Sequence, residues 1–414
     1  MPYLIRIPHK VFEEKVRFLF VGWWLDLVKE ITLKKYLLSI LFIGLIIFSC
    51  SDQSSETNSP DINSPNEDCG VDTTFTLDRL DFVIVRSPNC TYTTYGYGGI
   101  EMIDELGNVI WSAGGSRTSP YSMNTTSDGG YIFTFTSYVS RSSGPEGDIN
   151  WSSELPSYQA THYLKDAIQT SEGDYIVVGE IGGEPGPGGD DQKGQAFVLR
   201  MSDYGNVQWI KRYGIRNTLP DSFTEVVEAN DGGFVIVGNK IEEREFYFYD
   251  DFWIIKVDEN GDEEWSLEIG QNDRYDKAND IIKLSDGSYI ATGWSFIDDG
   301  IAAMRLVRVS SDGNIIWNKL AGGNGWYDIG TSLAVNNNET VLMVAGMKVP
   351  PSGWDNVRAK LWGYNPWNGN QIFVRNNIPS AQGINNATDV VAAYDNGFIV
   401  TSNIFFKMDS LGRW

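Results

Sequence analysis

One phrase recurs along most of this chain: an acid-and-glycine turn, an aromatic residue, then a β-branched run. It reads DGGYIF at 128–133, EGDYIVVG at 172–179, DGGFVIVG at 231–238, DGSYIATG at 286–293 and DNGFIV at 395–400. A degenerate copy is NETVLMVAG at 338–346. Short apolar runs bounded by turn residues predict strands buried on both faces. The Gly, Asn and Asp between them supply turns that need positive φ.

A second phrase alternates with the first. A glycine turn is followed four residues later by a large aromatic, at Gly107/Trp111, Gly147/Trp151, Gly205/Trp209, Gly261/Trp265, Gly313/Trp317 and Gly369/Phe373. The turn recurs once more at 409–412, just before the end at Trp414. Further strands lie between the phrases, such as QAFVLRM (195–201) and DFWIIKVD (251–258) before the Gly–Trp turns, and SFTEVVEA (222–229) before an acidic turn. Each unit therefore predicts four short strands. Repeats of roughly 40–60 residues with one aromatic anchor apiece are the pattern of propeller blades.

The ends complete the pattern. Residues 72–87 resemble 221–238 and predict the second half of a unit, folded as a hairpin over 73–86 that turns at Arg79-Leu80. Residues 404–414 predict the first half. Joined, the two would close the ring and remove exposed edges. The expectation is an all-β chain with a single β-propeller over 73–414, built of seven four-stranded blades with the terminal strands closing the ring.

Composition fits such a fold: 42% hydrophobic residues, 13% aromatic and 43 glycines in 414 residues. The net charge of −23 changes the functional picture. A field of that sign repels phosphate backbones, so nucleic acid is not expected as a partner.

The first 72 residues read differently. Lys34 and Lys35 precede an apolar run over 36–48 and the end Ser49-Cys50, which is the layout of an export signal over 34–49. Its end resembles the lipobox of bacterial lipoproteins, which implies lipidation of Cys50. Residues 50–72 form a polar Ser/Asn/Pro/Asp tract that predicts a flexible tether. Residues 1–33 do not fit this plan and are expected to be an extended leader or a mis-assigned start. Cys69 and Cys90 are equidistant from the expected hairpin turn, so a disulfide between them is expected in an exported protein.

With these features together, the DGGYIVVG-type and D-x-x-G-N-x-x-W units resemble the β-propeller repeat lipoproteins of Bacteroidota. The resemblance covers about 73–414. It implies a lipid-anchored, exported protein on the outer membrane or at the cell surface, and implies no activity. The Gly–Trp turns are also similar to the tryptophan-docking motif of quinoprotein propellers, but the adjacent cysteine pair of those enzymes is missing. No cofactor and no metal site are expected.

Candidate chemistry is sparse. His162 is the one histidine beyond the leader and has no nucleophile motif beside it. The acidic stretch 258–262 departs from calcium-loop spacing. The Gly313/Trp317 turn is one residue too long for a sialidase Asp-box. What remains are irregular insertions: 182–194, 242–251, 324–328 and 349–356. They offer Tyr247, Tyr249, Trp326, Tyr327 and Trp354 as candidate binding residues, since aromatics beside acids stack on sugar rings or anchor proteins. The leading expectation is a non-enzymatic binding or scaffold module for a protein or glycan, anchored to a membrane. The rival is a glycoside hydrolase or lyase, which needs paired carboxylates about 5–10 Å apart. Clustered buried acids in the central channel would favour the rival, and an apolar plug would favour binding.

Overall fold

The computed structural model describes residues 76–77, 81–96, 99–114, 120–144, 148–155, 162–182, 194–214, 221–244, 247–270, 274–298, 300–350, 357–376, 378, 387–402 and 405–414. Every regular element among them is a strand. The leader, Cys50, the tether and Cys69 lie outside the described residues.

The strands form antiparallel meanders. After β1 (Thr76–Leu77), the first is β2 (Asp81–Ser87), β3 (Thr91–Gly96), β4 (Gly99–Ile103) and β5 (Val109–Gly114). The second is β6 (Ser122–Thr125), β7 (Tyr131–Thr134), β8 (Tyr138–Ser143) and β9 (Asp148–Glu154). The third is β10 (His162–Gln169), β11 (Tyr175–Ile181), β12 (Gln195–Met201) and β13 (Val207–Tyr213). The fourth is β14 (Ser222–Glu228), β15 (Phe234–Arg244), β16 (Tyr247–Val257) and β17 (Glu263–Ile269).

Next come β18 (Asp276–Lys283), β19 (Tyr289–Asp298), β20 (Ile301–Val309) and β21 (Ile315–Gly322), then β22 (Tyr327–Val335), β23 (Leu342–Val349), β24 (Arg358–Tyr364) and β25 (Gln371–Arg375). These eight strands belong to one sheet. The last sheet holds β26 (Asp389–Ala392), β27 (Phe398–Thr401) and β28 (Phe405–Met408), with β1 on its outer edge.

The expected seven separate four-stranded blades are therefore corrected. Five sheets are four-stranded blades, and a sixth sheet is eight-stranded. The cause is local. β21 ends at Gly322, opposite Ala303, which leaves Ala302 with an open edge. Ala302 fills it by a parallel bridge to Tyr327, joining β20 to β22.

The terminal strands do meet in one closing sheet, β1 against β28, but not in the way expected. The hairpin expected over 73–86 does not form, because β1 pairs with β28 while β2 opens the next sheet against β3. The chain's end supplies three strands of the closing sheet, so only one slot remains for its beginning. The facing of residues 69 and 90 across a hairpin falls with it. Cys90 lies in the β2–β3 turn and is disulfide-bonded.

Two devices recur from sheet to sheet, the first joining neighbouring sheets and the second bracing each sheet internally. The first is the Gly–Trp phrase. Trp151, Trp209 and Trp265 sit on outer strands, each against the glycine turn of the following sheet. A Cβ on Gly205, Gly261 or Gly313 would come within 2.8, 2.9 or 2.7 Å of those rings. Trp151 and Trp265 also donate their indole N–H to Asp203 O and Ser311 O, both at 3.0 Å. Phe373 occupies the same place against Gly412.

The second device was not read from the sequence. A cation on the third strand clasps the acid of the turn before the second strand: Arg141 to Asp128, Arg200 to Asp174, Lys256 to Asp231, Arg308 to Asp286 and Lys407 to Asp395. These cations are mostly buried, so losing one partner would leave a charge poorly solvated.

Candidate functional site

The innermost strands β2, β6, β10, β14, β18, β22 and β26 line a central cavity of about 770 Å³. Most of them carry a β-bulge near the start. The register skips Lys165, Thr224, Asn279 and Thr331. The glycine closing each phrase on the second strand exists for this bulge. A Cβ on Gly179, Gly238, Gly293 or Gly346 would lie 1.8–2.1 Å from a carbonyl oxygen of the inner strand.

Just past the bulges lies a belt of acids. Asp166, Glu225 and Asp280 follow the skipped residues directly, and Asp389 holds the equivalent place on β26. Each aspartate reaches the next inner strand. Asp166 accepts from Val226 N at 3.2 Å, Asp280 from Leu333 N at 2.6 Å and Asp389 from Ile84 N at 3.0 Å. Asn124 donates to Asp166, and Ser332 to Asp389. Asp166 is also a neighbour of Glu225, and its charge favours the protonated form of Glu225.

Burial is the main cause of the altered acidity here. It pushes Asp280 up to about 7 and raises Asp166 and Asp389. Burial also drives Glu225 well above the usual carboxylate range, with the charges of Asp166, Asp280 and Asp389 adding to it.

One rim of this cavity carries the insertions. In each meander the tight acid-and-glycine turns fall at one end. The connections between second and third strands, and between one meander and the next, fall at the other. The strand ends that flank the β15–β16, β21–β22 and β23–β24 connections therefore share a face. Tyr249, Trp326 and Tyr327 are placed there. Tyr247 pairs through its backbone with Arg244. Trp354 and most of 182–194 lie outside the described residues. His162 opens β10, opposite Ile181.

On this face the structure assembles an aromatic run that sequence reasoning found only in part. Successive ring centroids lie 5.6 Å apart for Tyr249–Tyr275, 6.1 Å for Tyr275–Phe296 and 5.7 Å for Phe296–Tyr327. Trp294 adds an edge contact to Phe296 at 5.4 Å. Tyr275 is 44% exposed, and the other four are half-buried. Trp326 stands apart, with the Lys348 ammonium 4.5 Å above its ring. Tyr275, Trp294 and Phe296 were the missed members.

A second cavity of about 420 Å³ opens beside the central one, and Lys165, Thr224 and Asn279 line both. Its outer wall includes Asp250, paired to Lys277 at 3.0 Å. Tyr249 and Tyr275 neighbour that ion pair in sequence, so the cavity and the aromatic run are parts of one surface. Among the described residues, Glu242, Asp251 and Glu268 are the group of acids close enough to share a cation. Lys240 already pairs with Glu268.

Closed meanders around a central cavity define a β-propeller with one insertion-bearing face. Comparison with one solved β-propeller agrees on the fold. The β-propeller domain of Cps50 (Swd1) from Myceliophteria thermophila superposes with a TM-score of 0.53 at 8% identity, covering 81% of this chain and 98% of that one. A protein of unknown function from Bacteroides caccae matches at 0.43 and 12%, covering 71% and 92%. The extracellular domain of a putative hybrid two-component system from B. thetaiotaomicron matches at 0.49 and 11%, covering 82% and 41%. No family model and no curated protein matches the chain.

Proposed function

We propose that this protein is a non-enzymatic binding module that holds a glycan on the aromatic face at the mouth of its central cavity. It is displayed from the outer membrane by a lipid on Cys50. The carrying observation is the run Tyr249–Tyr275–Phe296–Tyr327, with ring spacings of 5.6–6.1 Å beside polar cavities. Sugar rings present apolar C–H faces to aromatics and hydroxyls to neighbouring polar groups. A face of that composition suits a neutral or weakly charged glycan better than a nucleic acid, given the net charge of −23. The export signal over 34–49, the tether over 50–72 and a Cys69–Cys90 disulfide complete the reading.

The acid belt favours a second reading, a glycan-active enzyme, because clustered buried carboxyls with raised pKa values suit a general acid. Against it, the three aspartates each accept a backbone N–H of the next inner strand. That places them as fasteners of the ring. The test is a glycan array probed with the detergent-solubilised full-length protein, followed by product analysis of every glycan bound. Binding without turnover supports the proposal. Cleavage that is lost in Glu225→Gln would replace it with the enzyme, and no retained glycan would defeat both.

A further inference from the structure

Of the four polar bulge residues of the inner strands, three bridge to neighbouring strands and sheets. Thr224 donates to Val237 O and to Ala278 O, both at 3.1 Å. Asn279 donates to Gly330 O at 2.6 Å. Thr331 donates to Ala345 O and Ala387 O. Lys165 holds the same bulge position on β10 and makes no such bridge.

Its ammonium instead lies 5.0 Å from the centre of the Tyr121 ring and 6.0 Å from that of Tyr163. No carboxylate of the described residues forms an ion pair with it, although the chain carries 55 acids and 32 Lys and Arg. Aromatic faces hold a cation in place without neutralising it. Lys165 also lines both cavities, at the point where the side cavity meets the central one. The nearby lysine of that wall, Lys277, is already paired with Asp250.

We propose that Lys165 is the specificity-determining residue of the glycan site and receives the carboxylate of a single acidic sugar, seated in the side cavity. This rests on the glycan reading above. Ser222, Asn239 and Asn279 line the same cavity and offer hydrogen bonds to sugar hydroxyls. Glu180 on that wall, and the strongly negative chain as a whole, oppose a second anionic group. The ligand is therefore a largely neutral oligosaccharide carrying one uronic or sialic acid, and not a polyuronate.

The test is an array of matched glycan pairs, each a neutral oligosaccharide and the same one bearing one terminal sialic or glucuronic acid. It is probed with full-length wild type, Lys165→Gln and Lys165→Arg. One charge-assisted contact predicts about a tenfold preference for the acidic member. Lys165→Gln should abolish the preference while leaving neutral binding in place, and Lys165→Arg should retain it. A purely structural role would lower binding of both members together and would overturn the inference. Neutral glycans bound as well as acidic ones, or a preference surviving in Lys165→Gln, would overturn it while leaving the glycan reading standing. No glycan bound at all would defeat both.

Discussion

The Asp389 carboxylate accepts a hydrogen bond from the backbone N–H of Ile84, 3.0 Å away across 305 residues of sequence. It joins the inner strand of the last sheet to that of the first. β1 adds only two residues of outer pairing to the same closure, Thr76 to Phe406 and Leu77 to Phe405. Tyr394 reinforces it by stacking under the Arg86 guanidinium and bonding to Ser87 O.

Closure should therefore depend strongly on Asp389. Asp389→Ala leaves Ile84 N and the Ser332 hydroxyl without their acceptor in a buried setting. The expected loss is about 2 kcal/mol in urea unfolding. Asp389→Asn keeps an acceptor oxygen and should lose clearly less. Equal stability of wild type and the alanine variant would show that the ring closes by other means.

The Gly–Trp docking separates two costs that glycine usually mixes. Gly232 and Gly261 both have positive φ, +86° and +77°. A Cβ on Gly232 meets nothing within 4 Å, whereas on Gly261 it meets the Trp209 ring at 2.9 Å. Gly232→Ala should cost about 1 kcal/mol, the left-handed strain alone. Gly261→Ala should cost about 2–3 kcal/mol, since the indole must also move. Denaturation midpoints measured side by side decide the matter, and equal costs would mean that Trp209 is not seated on the turn.

Asp280 makes stability depend on pH in a stated direction. Its folded pKa of about 7 lies above the ordinary value of 3.8, so the folded chain keeps a proton that the unfolded chain releases. The stability this contributes is full below about pH 4 and is lost as pH rises through about 7. Asp280→Asn keeps an oxygen for Leu333 N and removes the titration. Thermal melts from pH 4 to 8 should show the wild type losing stability relative to the variant as pH rises. A constant difference across that range would mean that Asp280 titrates normally.

How much of this could be read in advance follows from what each residue repeats. Trp209 and Gly261 were legible because their spacing recurs in every unit and follows from one contact. The start of the ring was misread. FVIV at 82–85 has the same apolar character as FVIV at 234–237, yet the first is an inner strand and the second a second strand. Both read as short apolar runs, so hydrophobicity does not tell them apart.

The acid belt did leave a trace. Asp166, Glu225, Asp280 and Asp389 each fall nine residues before the aromatic that opens the next strand: Tyr175, Phe234, Tyr289 and Phe398. The aromatic run left almost none. Trp294 and Phe296 sit in a continuous strand and read as core, while Tyr275 stands alone before β18. Only the extension of β19 to Asp298 carries those two side chains out to the rim.

A glycan held on the run from Tyr249 to Tyr327 would meet Tyr275 as its most exposed ring. The direct measurement is isothermal titration of the best array glycan into full-length wild type and Tyr275→Ala, with melting temperatures recorded for both. Removing one stacking aromatic should weaken binding by about tenfold, or roughly 1.4 kcal/mol, at an unchanged melting temperature. Undiminished affinity in Tyr275→Ala would place the glycan elsewhere and contradict the account.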